Sequence, residues 1–202
     1  MPLTLIGLRS VYLESFGLEL LGYWLAANRI SDVNTQLLGL YLTQDFLPKA
    51  AVHADDIARR ALLKRTFLIG TGVMTAALVT FSLAPELWVT IFLSPKFLPA
   101  ISFMLGYFVG DVLRVTAALV SYEALARKRL ITYVLIEAAA AAGIAVIMLC
   151  LIIAGTASAP PIAYALTYAL IAVGAAAFRR HARSLGHTTN AVADTGGITD
   201  AR

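Results

Sequence analysis

Cysteine is almost missing from these 202 residues: Cys150 stands alone, which excludes an intrachain disulfide and any cysteine-based metal cluster. Its aliphatic neighbours predict a core position. Charge is scarce too. Only 14% of the residues are Asp, Glu, Lys or Arg, whereas 59% are hydrophobic and mean hydropathy is +0.79. A water-soluble domain carries about a quarter charged residues, so this chain cannot cover itself with a hydrated surface. Disorder, a coiled coil and a disulfide scaffold are excluded for the chain as a whole. There is no Gly-rich phosphate loop of the Walker type. His53, His181 and His187 are scattered through loop and tail and read as surface residues. No Ser-His-Asp arrangement can be assembled, so the reading is of a protein that is not an enzyme and holds no metal or cofactor.

What the chain does have is long apolar runs. About 20 mostly apolar residues cross the hydrocarbon core as a helix. Four segments meet that standard, at approximately 67–84, 100–126, 130–153 and 162–178. A fifth, at 21–48, is long enough but holds Asn28, Arg29, Asp32, Asn34, Thr35 and Gln36. Its apolar flanks favour a span with one polar face. Residues 1–8 are too short to cross and read as a partial helix. The expectation is an all-α membrane protein: five full transmembrane helices plus an N-terminal partial helix in one bundle over 1–183, then a disordered cytoplasmic tail at 184–202.

A net charge of +4 does not point to nucleic acid, because the basic residues lie between spans rather than on one patch. Lys49, Arg59, Arg60, Lys64 and Arg65 follow the polar span, and Arg127, Lys128 and Arg129 join the next pair. Arg179, Arg180, Arg183 and Arg202 end the chain. All fall on one face, against Lys96 on the other. Positive charge stays on the cytoplasmic side, so the C-terminus is expected inside and residues 10–20, 85–99 and 154–160 outside. Pro48, Pro85, Pro95, Pro99 and Pro160-Pro161 are expected to close or open helices. Trp24 and Trp88 are expected in an interfacial aromatic belt.

Charges at bilayer depth are costly, on the order of 2.5–3.5 kcal/mol each, and persist where they meet water or a partner. Asp111 and Arg114 are three residues apart on one helix face. At helical spacing they extend to a stripe of Tyr107, Asp111, Arg114, Ala118, Ser121 and Tyr122. This is either a neutralising ion pair inside the bundle or the wall of a hydrophilic lumen. The polar span carries its own stripe of Asn28, Asp32, Thr35 or Gln36, Gly39 and Thr43, with Arg29 alongside. One aqueous chamber shared by two amphipathic spans explains both. Glu137 is either polar glue or a lumen group, and Arg9 is an outer-interface residue.

The block Val109-Gly110-Asp111-Val112-Leu113-Arg114-Val115, with Tyr122, Ala126, Tyr133 and Glu137 after it and Ser94, Lys96 and Phe97 before it, resembles the C-terminal half of bacterial lipid-linked oligosaccharide flippases. Gly22, Trp24, Ile30-Ser31-Asp32, Leu47-Pro48, Pro2 and Arg9 add to the likeness, which runs from about residue 2 to 180. These flippases are the O-antigen and enterobacterial-common-antigen translocases of the MATE-like exporter superfamily. The resemblance implies the C-terminal six-helix lobe of a twelve-helix transporter, with the N-terminal bundle absent from this chain, so a truncated or split half-transporter is expected. It implies a bacterial inner-membrane location and an undecaprenyl-diphosphate-linked glycan as substrate. Partners would be the bilayer, that glycan lipid, an N-terminal bundle or second copy, and other glycan assembly proteins. Arg9, Arg29 and Arg114 would attract the diphosphate and Asp32 and Asp111 would balance them. Asn28 and Gln36 would bond sugar hydroxyls, and Ser121, Tyr122 and Glu137 would complete the cavity. The alternatives are a small-molecule exporter of the same superfamily or a non-transporting scaffold fragment.

Overall fold

The computed structural model describes residues 2–52 and 56–195, and the side chains of 6–52 and 57–177. Among the described residues every regular element is helical. Helix α1 is Pro2–Tyr41. It continues through a π-helical turn, Leu42–Phe46, into α2, Leu47–Val52. Then follow α3 (Asp56–Leu83), α4 (Pro85–Phe92), a 3-10 turn (Pro95–Ala100), α5 (Ile101–Ala126), α6 (Leu130–Ile153) and α7 (Ala159–Thr195).

Four stretches are long and apolar enough to cross a membrane: Ile57–Leu83, Pro95–Ala126, Leu130–Ile153 and Ala159–Ala177. They mark a multi-pass membrane protein, and α6 meets its expected limits residue for residue. The polar segment 21–48 is not one of the four, because its charged and amide side chains dilute its apolar content. Helix runs from Pro2 through both the expected N-terminal stump and the connection expected at 10–20. No proline interrupts them, and Leu and Glu are good helix formers. The one break in α1 is Gly17, at φ 85° and ψ 172°, a conformation essentially reserved for glycine. Pro48 does not end the helix either. Proline clashes with the carbonyl four residues back, and the wider π-helical turn just before it shifts that register. The connection at 85–99, expected on the outer side, is itself mostly helical.

Pro85 opens α4, and Pro160 and Pro161 sit in the first turn of α7, where a missing N–H costs nothing. The helix then continues to Thr195, so the tail expected to be irregular from 184 is helical as far as it is described. Only one glycine, Gly186, lies in 184–195, and propagating an existing helix needs no new nucleus. Residues 196–202 and His53 lie outside the described residues, as do the side chains of His181 and His187.

Helix α5 is the centre of the bundle, against α1, α3, α6 and α7. Its closest partner is α7. A Cβ at Gly106 would lie 2.7 Å from the Cβ of Pro161, and one at Gly110 would lie 2.2 Å from Cδ1 of Tyr164. The Gly106-xxx-Gly110 spacing is thus a small-residue seam through which two helices approach. The main core cluster gathers Tyr12, Trp24, Phe81, Phe108 and Met104 around this seam. Trp24 is 2% exposed and donates its Nε1–H to the Tyr107 hydroxyl at 2.7 Å, which corrects its expected belt position. Cys150 is exposed on the outer face of α6 rather than buried. Apolar neighbours identify a side chain that avoids water, but in a bilayer that includes the lipid face.

Candidate functional site

Asp111 comes from the middle of α5 and is 1% exposed. Three donors reach its carboxylate. Ser31 Oγ donates to Oδ1 at 2.7 Å, Asn34 Nδ2 to Oδ2 at 3.3 Å, and the Tyr164 hydroxyl to Oδ1 at 2.8 Å. A buried carboxylate needs such donors, because leaving it bare away from water is far costlier than burying a neutral group. Helix α1 supplies two of them at i and i+3, one face of a helix, and α7 supplies the third.

Arg114, one turn further along α5, makes no ion pair with Asp111 within 4.0 Å. Its Nη1 donates to the Tyr164 hydroxyl at 3.2 Å, and its guanidinium carbon lies 5.4 Å from the centre of the Tyr168 ring. Such a cation–π contact holds the charge without neutralising it. Near the other end of α5, the fully buried Ser121 donates to Oε1 of Glu137 on α6 at 3.1 Å. The expected lumen wall on α5 therefore divides. Tyr107, Asp111 and Ser121 are packed between helices, which corrects the reading of Asp111 and Ser121 as cavity-lining groups. Arg114, Ala118 and Tyr122 line open space. A stripe at 3–4 residue spacing covers a face wide enough to meet two neighbours, so its two edges enter different surroundings.

The single shared chamber is likewise two. A cavity of about 460 Å³ lies against the first part of α1 and is bordered by Arg9, Asn28, Arg29, Asp32, Leu93 and Phe97. Here Asn28 Nδ2 donates to Asp32 Oδ2 at 2.9 Å. Neither Arg9 nor Arg29 lies within 4.0 Å of a carboxylate; among the described residues the ion pairs are Lys49 with Asp45 and Arg127 with Glu123. Arg9 Nε is buried and has no hydrogen-bond partner. The second cavity, about 250 Å³, lies between α1, α5, α6 and α7. Gln36, Arg114, Tyr122, Tyr133, Glu137 and Tyr168 border it.

Of the site residues expected from the sequence, Arg9, Asn28, Arg29 and Asp32 border the first cavity, Gln36, Arg114, Tyr122 and Glu137 border the second, and Asp111 and Ser121 border neither. Missing from that reading were Tyr164 and Tyr168 on α7, and Ser31 and Asn34 as the partners of Asp111. A legible signal existed: Tyr164, Thr167 and Tyr168 stand at i, i+3 and i+4 in the otherwise apolar stretch 162–178. No family model matches this chain, and no curated protein or solved structure matches it.

Proposed function

We propose that this chain is a lobe of a transporter that moves an undecaprenyl-diphosphate-linked oligosaccharide across the bacterial inner membrane. The observation that carries the reading is the first cavity, where Arg9 and Arg29 face one space with no carboxylate paired to either. Two free guanidinium groups in a partly apolar recess form a receptor for an anion bearing several oxygens, and phosphate oxygens match their fork of donors. Asp32 is held by Asn28 and lies in the same cavity, so it offsets part of the charge when the anion is absent. Leu25 is exposed at the rim and Leu93 and Phe97 flank it, which suits a ligand whose tail stays in lipid while its headgroup enters.

The remainder of the reading follows. The C-terminus and the Arg127–Arg129 turn face the cytoplasm by the distribution of positive charge. The polar part of α1 acts as a fifth span, its hydrophilic face turned to the two cavities and to Asp111. Alternating access needs a second bundle rocking against this one, supplied by an N-terminal lobe or a second copy. An exporter of small organic cations would place acidic groups where Arg9, Arg29 and Arg114 stand.

The test is binding of undecaprenyl diphosphate to the purified chain in phosphatidylcholine nanodiscs. Saturable binding is expected, weakened about tenfold or more in Arg9→Ala/Arg29→Ala, since each lost charged hydrogen bond costs about 1.5–3 kcal/mol. Equal binding by wild type and the double variant, or none by either, overturns the reading. In cells lacking their own flippase, co-expression with an N-terminal lobe is expected to restore surface glycan in an Arg29-dependent manner.

A further inference from the structure

The second cavity has a different chemical character from the first. Arg114 and Glu137 face it with opposite charges, yet they are not paired with each other. Each is instead held from behind by a buried hydroxyl: Tyr164 takes one N–H of Arg114, and Ser121 donates to one oxygen of Glu137. The remaining guanidinium donors and the other carboxylate oxygen are left for whatever fills the space. Gln36 adds an amide with both a donor and an acceptor end, and Tyr122 and Tyr133 add aromatic wall.

This combination narrows the ligand. An anion would meet Glu137, and a cation would meet Arg114. An apolar group would strand both charges without partners, which is costly in a dry site. A neutral ring bearing several hydroxyls satisfies everything at once, because each hydroxyl both donates and accepts and the C–H faces of the ring rest on phenol rings. The volume of about 250 Å³ lies below the 300–1,000 Å³ usual for drug-sized ligands, so it suits a single ring. We infer that the cavity between α1, α5, α6 and α7 is a monosaccharide site, with Arg114 donating to one hydroxyl and Glu137 accepting from another. The inference deepens the transport reading by assigning the glycan its own compartment, separate from the arginine cavity that takes the phosphates.

Saturation-transfer NMR on the full chain in phosphatidylcholine nanodiscs tests it with methyl β-glucopyranoside and methyl N-acetyl-β-glucosaminide as probes and cyclohexanol as the apolar control. Transfer to at least one glycoside and none to cyclohexanol is expected. Glu137→Gln keeps an oxygen for Ser121 but replaces the charged acceptor facing the cavity with a neutral amide, so the bundle stays intact and glycoside transfer falls about tenfold, because a hydrogen bond to a charged group is worth more than one to a neutral group. Gly72→Ala in α3, which borders neither cavity and meets nothing within 4 Å, leaves it unchanged. No transfer to either glycoside, equal transfer in Glu137→Gln, or displacement of the glycoside by free glycine would each overturn the saccharide assignment, the last in favour of a zwitterion site. Undecaprenyl diphosphate binding, measured in parallel, reports separately on the arginine cavity.

Discussion

Asp111 and Arg114 share one face of α5, but they meet only through the hydroxyl of Tyr164, which accepts from the guanidinium and donates to the carboxylate. The acid stays sealed among α1, α5 and α7, while the base reaches into a cavity. A direct ion pair would have cancelled the charge of Arg114. The relay leaves that charge available.

Removing the relay has a calculable effect. Tyr164→Phe keeps the ring in its seat against Gly110 but strips Asp111 of one donor and Arg114 of its acceptor. Destabilisation of about 1–2 kcal/mol is expected, above the average for interhelical hydrogen bonds in membranes because both partners are charged. Reversible unfolding in mixed micelles measures it, and a change below a few tenths of a kcal/mol would show that the relay is dispensable.

The glycine seam makes a sharper prediction. Gly110→Ala drives a methyl group into the Tyr164 ring and Gly106→Ala drives one into Pro161, so each is expected to cost about 1–3 kcal/mol by overpacking. Gly72→Ala in α3 meets nothing within 4 Å and is expected to be neutral or stabilising by up to about 1 kcal/mol. Similar losses at all three positions in the same assay would argue against the close α5–α7 contact.

Gly17 breaks α1 at a φ of 85°. Alanine there is strained by roughly 1–3 kcal/mol, and the favourable response is to straighten the helix. Spin labels at positions 6 and 33, both exposed, would lie roughly 40 Å apart along an unbroken helix at 1.5 Å per residue. With Cys150 replaced by alanine, the wild-type distance is expected to be shorter, and Gly17→Ala to lengthen it. An unchanged distance would remove the kink from consideration as the device that sets the direction of the first turns.

Accessibility separates adjacent positions on α5. Ala118 borders the second cavity, whereas Leu119 is 3% exposed in a packed core. In the Cys150→Ala background, a cysteine at 118 is expected to react with a charged, membrane-impermeant thiosulfonate added to nanodiscs, and one at 119 to stay unmodified. No reaction at 118 would mean that the cavity does not admit water, and reaction at both that Leu119 is not packed away from it.

The sequence alone was enough to determine the helices and their limits where composition is one-sided. Leu130–Ile153 is an apolar run with Glu137 as its one charge, and a backbone in hydrocarbon has no choice but to satisfy its own hydrogen bonds as a helix. It also marked the residues whose burial requires an explanation, because Asp111, Arg114 and Glu137 are costly wherever apolar helices place them. Which explanation applies was decided by the tertiary structure. Whether Asp111 meets water or Ser31, Asn34 and Tyr164 depends on two other helices approaching to hydrogen-bond distance, set by glycines 106 and 110 and by the ring they admit. Periodicity along α5 specifies a face; what hydrogen-bonds to that face comes from segments up to 83 positions away, and no local pattern encodes their contact.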